Sequence, residues 1–151
     1  MKHGGAGGSG GGSDKAGETM LDALFKPASI AVVGASRTPG KVGYAILHNL
    51  LTHGFGGRLT PINPSAKEIL GLTCHPSCRA MGSPPDLAVI AVPTAGVEAA
   101  VEDALDAGAQ ALIVITAGFK ETGAEGAERE RRLVERCRAH NVRMLGPNCL
   151  G

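Results

Sequence analysis

The chain has 151 residues, 43% of them apolar and 19% charged, with a net charge of +1. That length suits one ordinary globular domain and leaves little room for two. The near-neutral balance excludes a general electrostatic field for nucleic acid or a membrane surface, no apolar run approaches the roughly 20 residues of a bilayer span, and 3% aromatics without Trp offer no stacking platform for bases.

Residues 1–19 are dominated by Gly and Ser, cannot bury apolar surface, and read as a flexible tail or linker. The folded domain is expected over residues 20–151. It opens with a short amphipathic lead, Met20 to Phe25, that Lys26-Pro27 stops. Ser29 to Gly34 is a β-branched run bounded by turn residues, the pattern of a strand buried on both faces. Lys41 to Thr52 carries Val42, Ala45, Ile46, Leu47 and Leu50 at helical spacing and ends before Gly54. Arg58 to Asn63 supplies a second strand that Pro64 stops, and Gly71 to Cys74 reads as a short edge strand. Asp86 to Pro93 and Ala111 to Thr116 are two more buried strands with a helix, Val97 to Ala107, between them. Glu125 to His140 is a further helix, and Val142 to Leu145 a last strand. Strands alternating with helices at this interval call for right-handed crossovers, hence an α/β, Rossmann-like, doubly wound, mainly parallel sheet in a single domain.

Cysteines stand at 74, 78, 137 and 149, with no apolar signal segment, which suits free thiols in the cytoplasm. Cys74, His75 and Cys78 have a spacing that a metal tolerates, but no second Cys/His pair lies nearby, so they are read as a loop and no metal is expected.

In a sheet of this kind a ligand lies outside the C-terminal strand ends, so the residues after each apolar run carry the functional information. After the first strand come Gly34-Ala35-Ser36-Arg37-Thr38-Pro39-Gly40-Lys41-Val42-Gly43, a small-residue loop leading into a helix. Gly40 and Gly43 are expected to let backbone approach a phosphate, with the helix N-terminus favouring the anion. The spacing departs from the dinucleotide pattern G-x-G-x-x-G, since Ser36 replaces its second glycine. After the second strand a dinucleotide site offers Asp or Glu to the ribose, whereas this chain reads Asn63-Pro64-Ser65, with no carboxylate before Glu68. Ser65 and Lys67 face phosphates or stand solvated. Val92-Pro93-Thr94 and Ala117-Gly118-Phe119 end the next two strands in small-residue mouths. Asn148, after the last strand, either bonds a ligand or fixes its own loop.

Taken together, IAVVGASRTPGKVG, LTPINP, DLAVIAVP, LIVITAGFKE and VRMLGPNCLG resemble the CoA-binding domain of the NDP-forming acyl-CoA synthetases, the family that includes ADP-forming acetate–CoA ligases and the α-subunit of succinyl-CoA synthetase. The resemblance runs from about Leu24 to Gly151, in order. It implies that coenzyme A or acyl-CoA lies across the strand ends. Gly34, Ala35, Ser36, Pro39, Gly40 and Lys41 would then lie near the pantetheine and phosphates, and Asn63, Pro64, Ser65 and Lys67 near the nucleotide phosphates. Val92, Pro93, Thr94, Ala117, Gly118 and Phe119 would surround the adenosine and the pantetheine arm. It also implies further domains or subunits of a parent synthetase as partners. The family's reaction passes through a phosphohistidine in a later domain, and none of His3, His48, His53, His75 and His140 lies in a matching motif, so no catalytic residue is expected here. Related domains also occur fused to lysine acetyltransferases. The rival reading is an NAD(P)-binding oxidoreductase or redox-sensor domain, which Asn63-Pro64 disfavours; a third, an interaction module, would leave the glycine loop idle.

Overall fold

The structure, a computed structural model, describes residues 22–147; the Gly/Ser-rich segment, Asn148 and Cys149 lie outside the described residues. The strands in chain order are β1 (Ser29–Val33), β2 (Arg58–Ile62), β3 (Glu68–Ile69), β4 (Leu72–Thr73), β5 (Leu87–Ile90), β6 (Ala111–Val114) and β7 (Arg143–Leu145). Helices α1 (Val42–Thr52), α2 (Val97–Asp106) and α3 (Ala124–Ala139) are interleaved with them. β2, β1, β5, β6 and β7 lie side by side in that order, every pair parallel. The chain therefore runs outward from β1 to β2, then crosses back to the other side of β1 for β5. That reversal opens a crevice beyond the C-terminal ends of β1 and β5.

Strand periodicity splits the apolar residues between two cores. Ile30, Val32, Leu87, Val89 and Ala111 face one side, where Leu47 of α1 packs with Ala23 and Leu24 from a helical turn at residues 22–25. Ala31, Val33, Ala88, Ile90, Leu112 and Val114 face the other, under Val97, Val101 and Ala104 of α2 and Leu133 and Cys137 of α3. β1, β5 and β6 each contribute to both faces, which is why these segments are continuous apolar runs. Ion pairs link α2 to α3 along their outer edges: Glu98 meets Arg129 and Arg132, each at 3.5 Å, and Glu102 meets Arg136.

The expected strands and helices are present, most with ends trimmed by one to three residues, while α3 begins one residue early at Ala124. One segment differs. Leu72–Thr73 does not extend the main sheet; it pairs antiparallel with Glu68–Ile69 in a separate hairpin. The turn between them holds Leu70 at φ 51° and Gly71 at φ 81°, both in the left-handed region of a tight hairpin turn. A bridge from Ile62 to His75 fastens this excursion beside β2. Pro61 tolerates its place in β2 because its carbonyl accepts the His75 N–H on the strand's outer side, away from the β1 ladder, so its missing N–H breaks no ladder bond.

Candidate functional site

The loop after β1 is held to the end of β2. The N–H groups of Gly34 and Ala35 both donate to the Ile62 carbonyl, at 3.1 and 3.3 Å. Gly34 has φ 91°, and a Cβ there would lie 2.7 Å from the Ala91 carbonyl oxygen, so this turn accepts only glycine. Beyond it the Ser36 hydroxyl accepts the Thr38 N–H at 3.0 Å, and the loop swings out through exposed Arg37, Thr38, Pro39 and Gly40.

The two glycines at the helix start divide in role. Gly40 stands at φ 95° with no protein atom within 4 Å of a built Cβ, so the space over it is open. A Cβ at Gly43 would fall 1.9 Å from the Gly34 carbonyl oxygen. Gly43 therefore lets α1 lie directly against the β1 turn, while the space over Gly40 stays open. Lys41 is the residue before α1; no side chain caps the helix, and its first turn holds no acid. The positive end of its dipole therefore has no side-chain partner there, and Lys41 is exposed.

Asn63, immediately after β2, is committed in both directions. Its side-chain amide donates to the Ala35 carbonyl at 2.8 Å, and its side-chain oxygen accepts the Ser65 N–H at 2.7 Å. It ties the two loops together and supplies no free carboxylate for a ribose diol. Pro64, Ser65 and Lys67 are exposed beside it. Cys74 lies under this corner with its thiol toward the Asn63 and His75 carbonyls, at 3.6 and 3.8 Å.

Two threonines lock the loops after β5 and β6 to each other. The Thr94 hydroxyl donates to the Ala117 carbonyl at 2.8 Å, and the Thr116 hydroxyl to the Val92 carbonyl at 2.5 Å. Gly118, at φ 101°, packs against Thr94, whose hydroxyl oxygen would be 2.8 Å from a Cβ at that position. Val92, Pro93, Thr94, Ala117 and Gly118 thus form one rim. Phe119 departs from it, because its ring is fully buried in the core with α2 and α3, leaving only its backbone near the mouth. Besides Thr116, two residues not singled out by sequence hold this rim. Glu121 accepts the N–H groups of Gly118 and Phe119, and the Gly118 bond above all holds its carboxyl below the usual carboxylate range. Arg129 lies over the Phe119 ring at 5.6 Å and reaches the Thr94 carbonyl at 3.5 Å. The run Ala117-Gly118-Phe119-Lys120-Glu121, an acid three residues past a strand-end glycine, was the available signal for Glu121.

The described cysteines are buried free thiols. Burial, reinforced by the neighbouring Asp103 carboxylate, pushes Cys78 up to about 12, and burial with Glu102 nearby pushes Cys137 up to about 11. Burial also raises Cys74. Neutral buried thiols are poor nucleophiles and poor metal ligands. A groove between α2 and α3, lined by Glu98, Glu102, Arg132 and Arg136, has its carboxylates matched by those arginines and offers an anion no unpaired cation.

With this geometry in hand, comparison with known proteins gives consistent matches. The CoA binding domain family matches residues 28–151. The ADP-forming acetate–CoA ligase II of Archaeoglobus fulgidus is 43% identical over 128 residues, which are 85% of this chain and 19% of that protein. The α subunit of the ADP-forming acetate–CoA ligase II of Pyrococcus furiosus is 39% identical over 132 residues, 87% of this chain and 29% of that subunit. Among solved structures, the dinucleotide-forming acetyl-coenzyme A synthetase 1 of Ca. Korarchaeum cryptofilum, in complex with phosphate and ADP, superposes with a TM-score of 0.83 at 46% identity, covering 88% of this chain and 28% of that one. The chain spans well under a third of the length of each of these proteins.

Proposed function

The chain belongs to the CoA binding domain family, and from that premise we propose that it holds coenzyme A or an acyl-CoA across the C-terminal ends of β1, β2, β5 and β6. In this reading Gly34, Ala35, Ser36, Pro39, Gly40 and Lys41 border the pantetheine and phosphates. Asn63, Pro64, Ser65 and Lys67 border the nucleotide end, and Val92, Pro93, Thr94, Ala117, Gly118 and the Phe119 backbone form the opposite rim. One observation carries the proposal. α1 begins uncapped and without an acid, directly after an exposed Lys41 and under open space at Gly40, at the crevice where the strand order reverses.

The relatives support a wider reading. The chain serves as the CoA-binding part of a cytoplasmic NDP-forming acyl-CoA synthetase, whose overall reaction converts acyl-CoA, NDP and phosphate to acid, CoA and NTP. Further domains or subunits of that enzyme are its partners. In this reading its own residues bind and orient the thioester-bearing arm, and the covalent steps fall to the partners. An NAD site is disfavoured because Asn63 is spent on Ala35 and Ser65.

A thermal melt tests the reading. A ligand that binds only the folded state stabilises it by about 2.7 kcal/mol at roughly 100 times its Kd, so saturating CoA is expected to raise the midpoint by several degrees while NAD leaves it in place. A larger rise with NADH than with CoA would overturn the proposal.

A further inference from the structure

The loop after β6 closes on a carboxylate from its own sequence. One oxygen of Glu121 accepts the N–H groups of both Gly118, at 2.5 Å, and Phe119, at 3.0 Å. Hydrogen bonds to an ionised acceptor are stronger than neutral ones, and this pair fixes the orientation of two successive peptide groups. Gly118 is held at φ 101°, a conformation that glycine adopts without penalty. On the other side of the turn the Phe119 carbonyl accepts the Thr122 N–H at 2.9 Å and the Thr122 hydroxyl at 2.7 Å. Residues 118–122 are thereby closed into one turn ahead of α3.

The effect of that carboxylate reaches the neighbouring loop. A trans peptide group is planar, with its N–H and its carbonyl pointing in opposite directions, so turning one turns the other. The peptide that joins Ala117 to Gly118 is gripped at both ends. Glu121 holds its N–H, and the Thr94 hydroxyl, from the loop after β5, donates to its carbonyl at 2.8 Å. Rotation of this one plane would break both bonds. Glu121 itself is exposed and stands three residues beyond the rim at Gly118, so its hold on Thr94 runs through the peptide and not through a contact of its own.

We propose that Glu121 is a positioning residue for the ligand mouth. Its carboxylate fixes the Ala117–Gly118 peptide, and through it Thr94, in the arrangement that receives the ligand, while touching no part of the ligand. This rests on the CoA reading above. Loops already fixed before the ligand arrives lose less conformational freedom on binding, so the effect of Glu121 is read as affinity.

Calorimetric titration with CoA compares the wild type, Glu121→Ala, Glu121→Gln, Thr94→Val and the Glu121→Ala/Thr94→Val double variant, each shown to be folded by circular dichroism. Glu121→Ala is expected to weaken CoA by about five- to tenfold, the scale of one lost charge-assisted bond. Glu121→Gln, which keeps an oxygen in reach of the same N–H groups, is expected to recover most of that loss. The double variant is expected to be little weaker than the weaker single one, because both substitutions release the same peptide. In ligand-free amide NMR spectra, Glu121→Ala and Glu121→Gln are both expected to move the Thr94 amide together with that of Gly118. Fully additive losses in the double variant, an Ala variant within about twofold of wild type, or spectral changes confined to residues 118–122 would each overturn this inference and leave the CoA reading intact. A wild type that ignores CoA would overturn the CoA reading itself.

Discussion

Gly43→Ala is expected to cost the domain on the order of 3 kcal/mol or more, a large share of the roughly 5–15 kcal/mol that holds a domain of this size folded. The added Cβ would lie 1.9 Å from the Gly34 carbonyl oxygen and 2.8 Å from its carbon, both backbone atoms at the end of β1. A flexible side chain would swing aside; backbone in the turn that ends β1 does not. α1 must lift from the sheet instead, taking Leu47 out of the core it shares with Val32 and Val89. Gly40→Ala is the internal control. Its Cβ meets no protein atom and its cost is the strain of φ 95°, about 1 kcal/mol. Denaturant unfolding of the two variants beside the wild type measures the difference, and a Gly43→Ala variant as stable as Gly40→Ala would contradict the packing role.

Phe119→Ala is expected to destabilise by about 3–5 kcal/mol, the usual cost of emptying a fully buried aromatic site. The ring is 0% exposed, and its removal also takes away the surface over which Arg129 lies. Phe119→Leu keeps most of the volume and supplies the functional arm of the test. In that variant CoA affinity is expected to stay within about twofold of wild type, because the ring faces the core and not the mouth. A loss of tenfold or more in a folded Phe119→Leu protein would return the ring to the binding surface.

These two positions show where reading the chain as a sequence succeeds and where it stops. The β-branched runs at Ser29–Val33, Leu87–Ile90 and Ala111–Val114 announce strands buried on both faces, because each residue in such a run must be apolar whichever way it points. Once the strands are located, their C-terminal loops are located too, and the family resemblance is carried by those loops. The hairpin of β3 and β4 was legible only in part, since its turn places Leu70, not Asn or Asp, at positive φ. A β-branched or long side chain there costs energy that tertiary packing must offset, and local chemistry does not announce it. The roles of individual loop residues were harder still. Gly40 and Gly43 look alike in sequence, yet one opens onto solvent and the other onto Gly34. Thr94 and Thr116 each find their partner more than twenty residues away. Whether Asn63 serves a ligand or a loop depends on Ala35, which the parallel pairing of β1 and β2 brings beside it from 28 residues away. Such commitments belong to tertiary structure, and sequence spacing does not encode them.

The central claim is that coenzyme A is held at the strand-end crevice, and backbone amide NMR during a CoA titration tests it most directly. The account predicts large shifts at the amides of Gly34 to Gly43, Asn63 to Lys67, Val92 and Thr94, and Ala117 and Gly118, with the amides of α3 from Arg131 onward unmoved. Absence of any shift at saturating CoA, or shifts confined to the groove between α2 and α3, would contradict it.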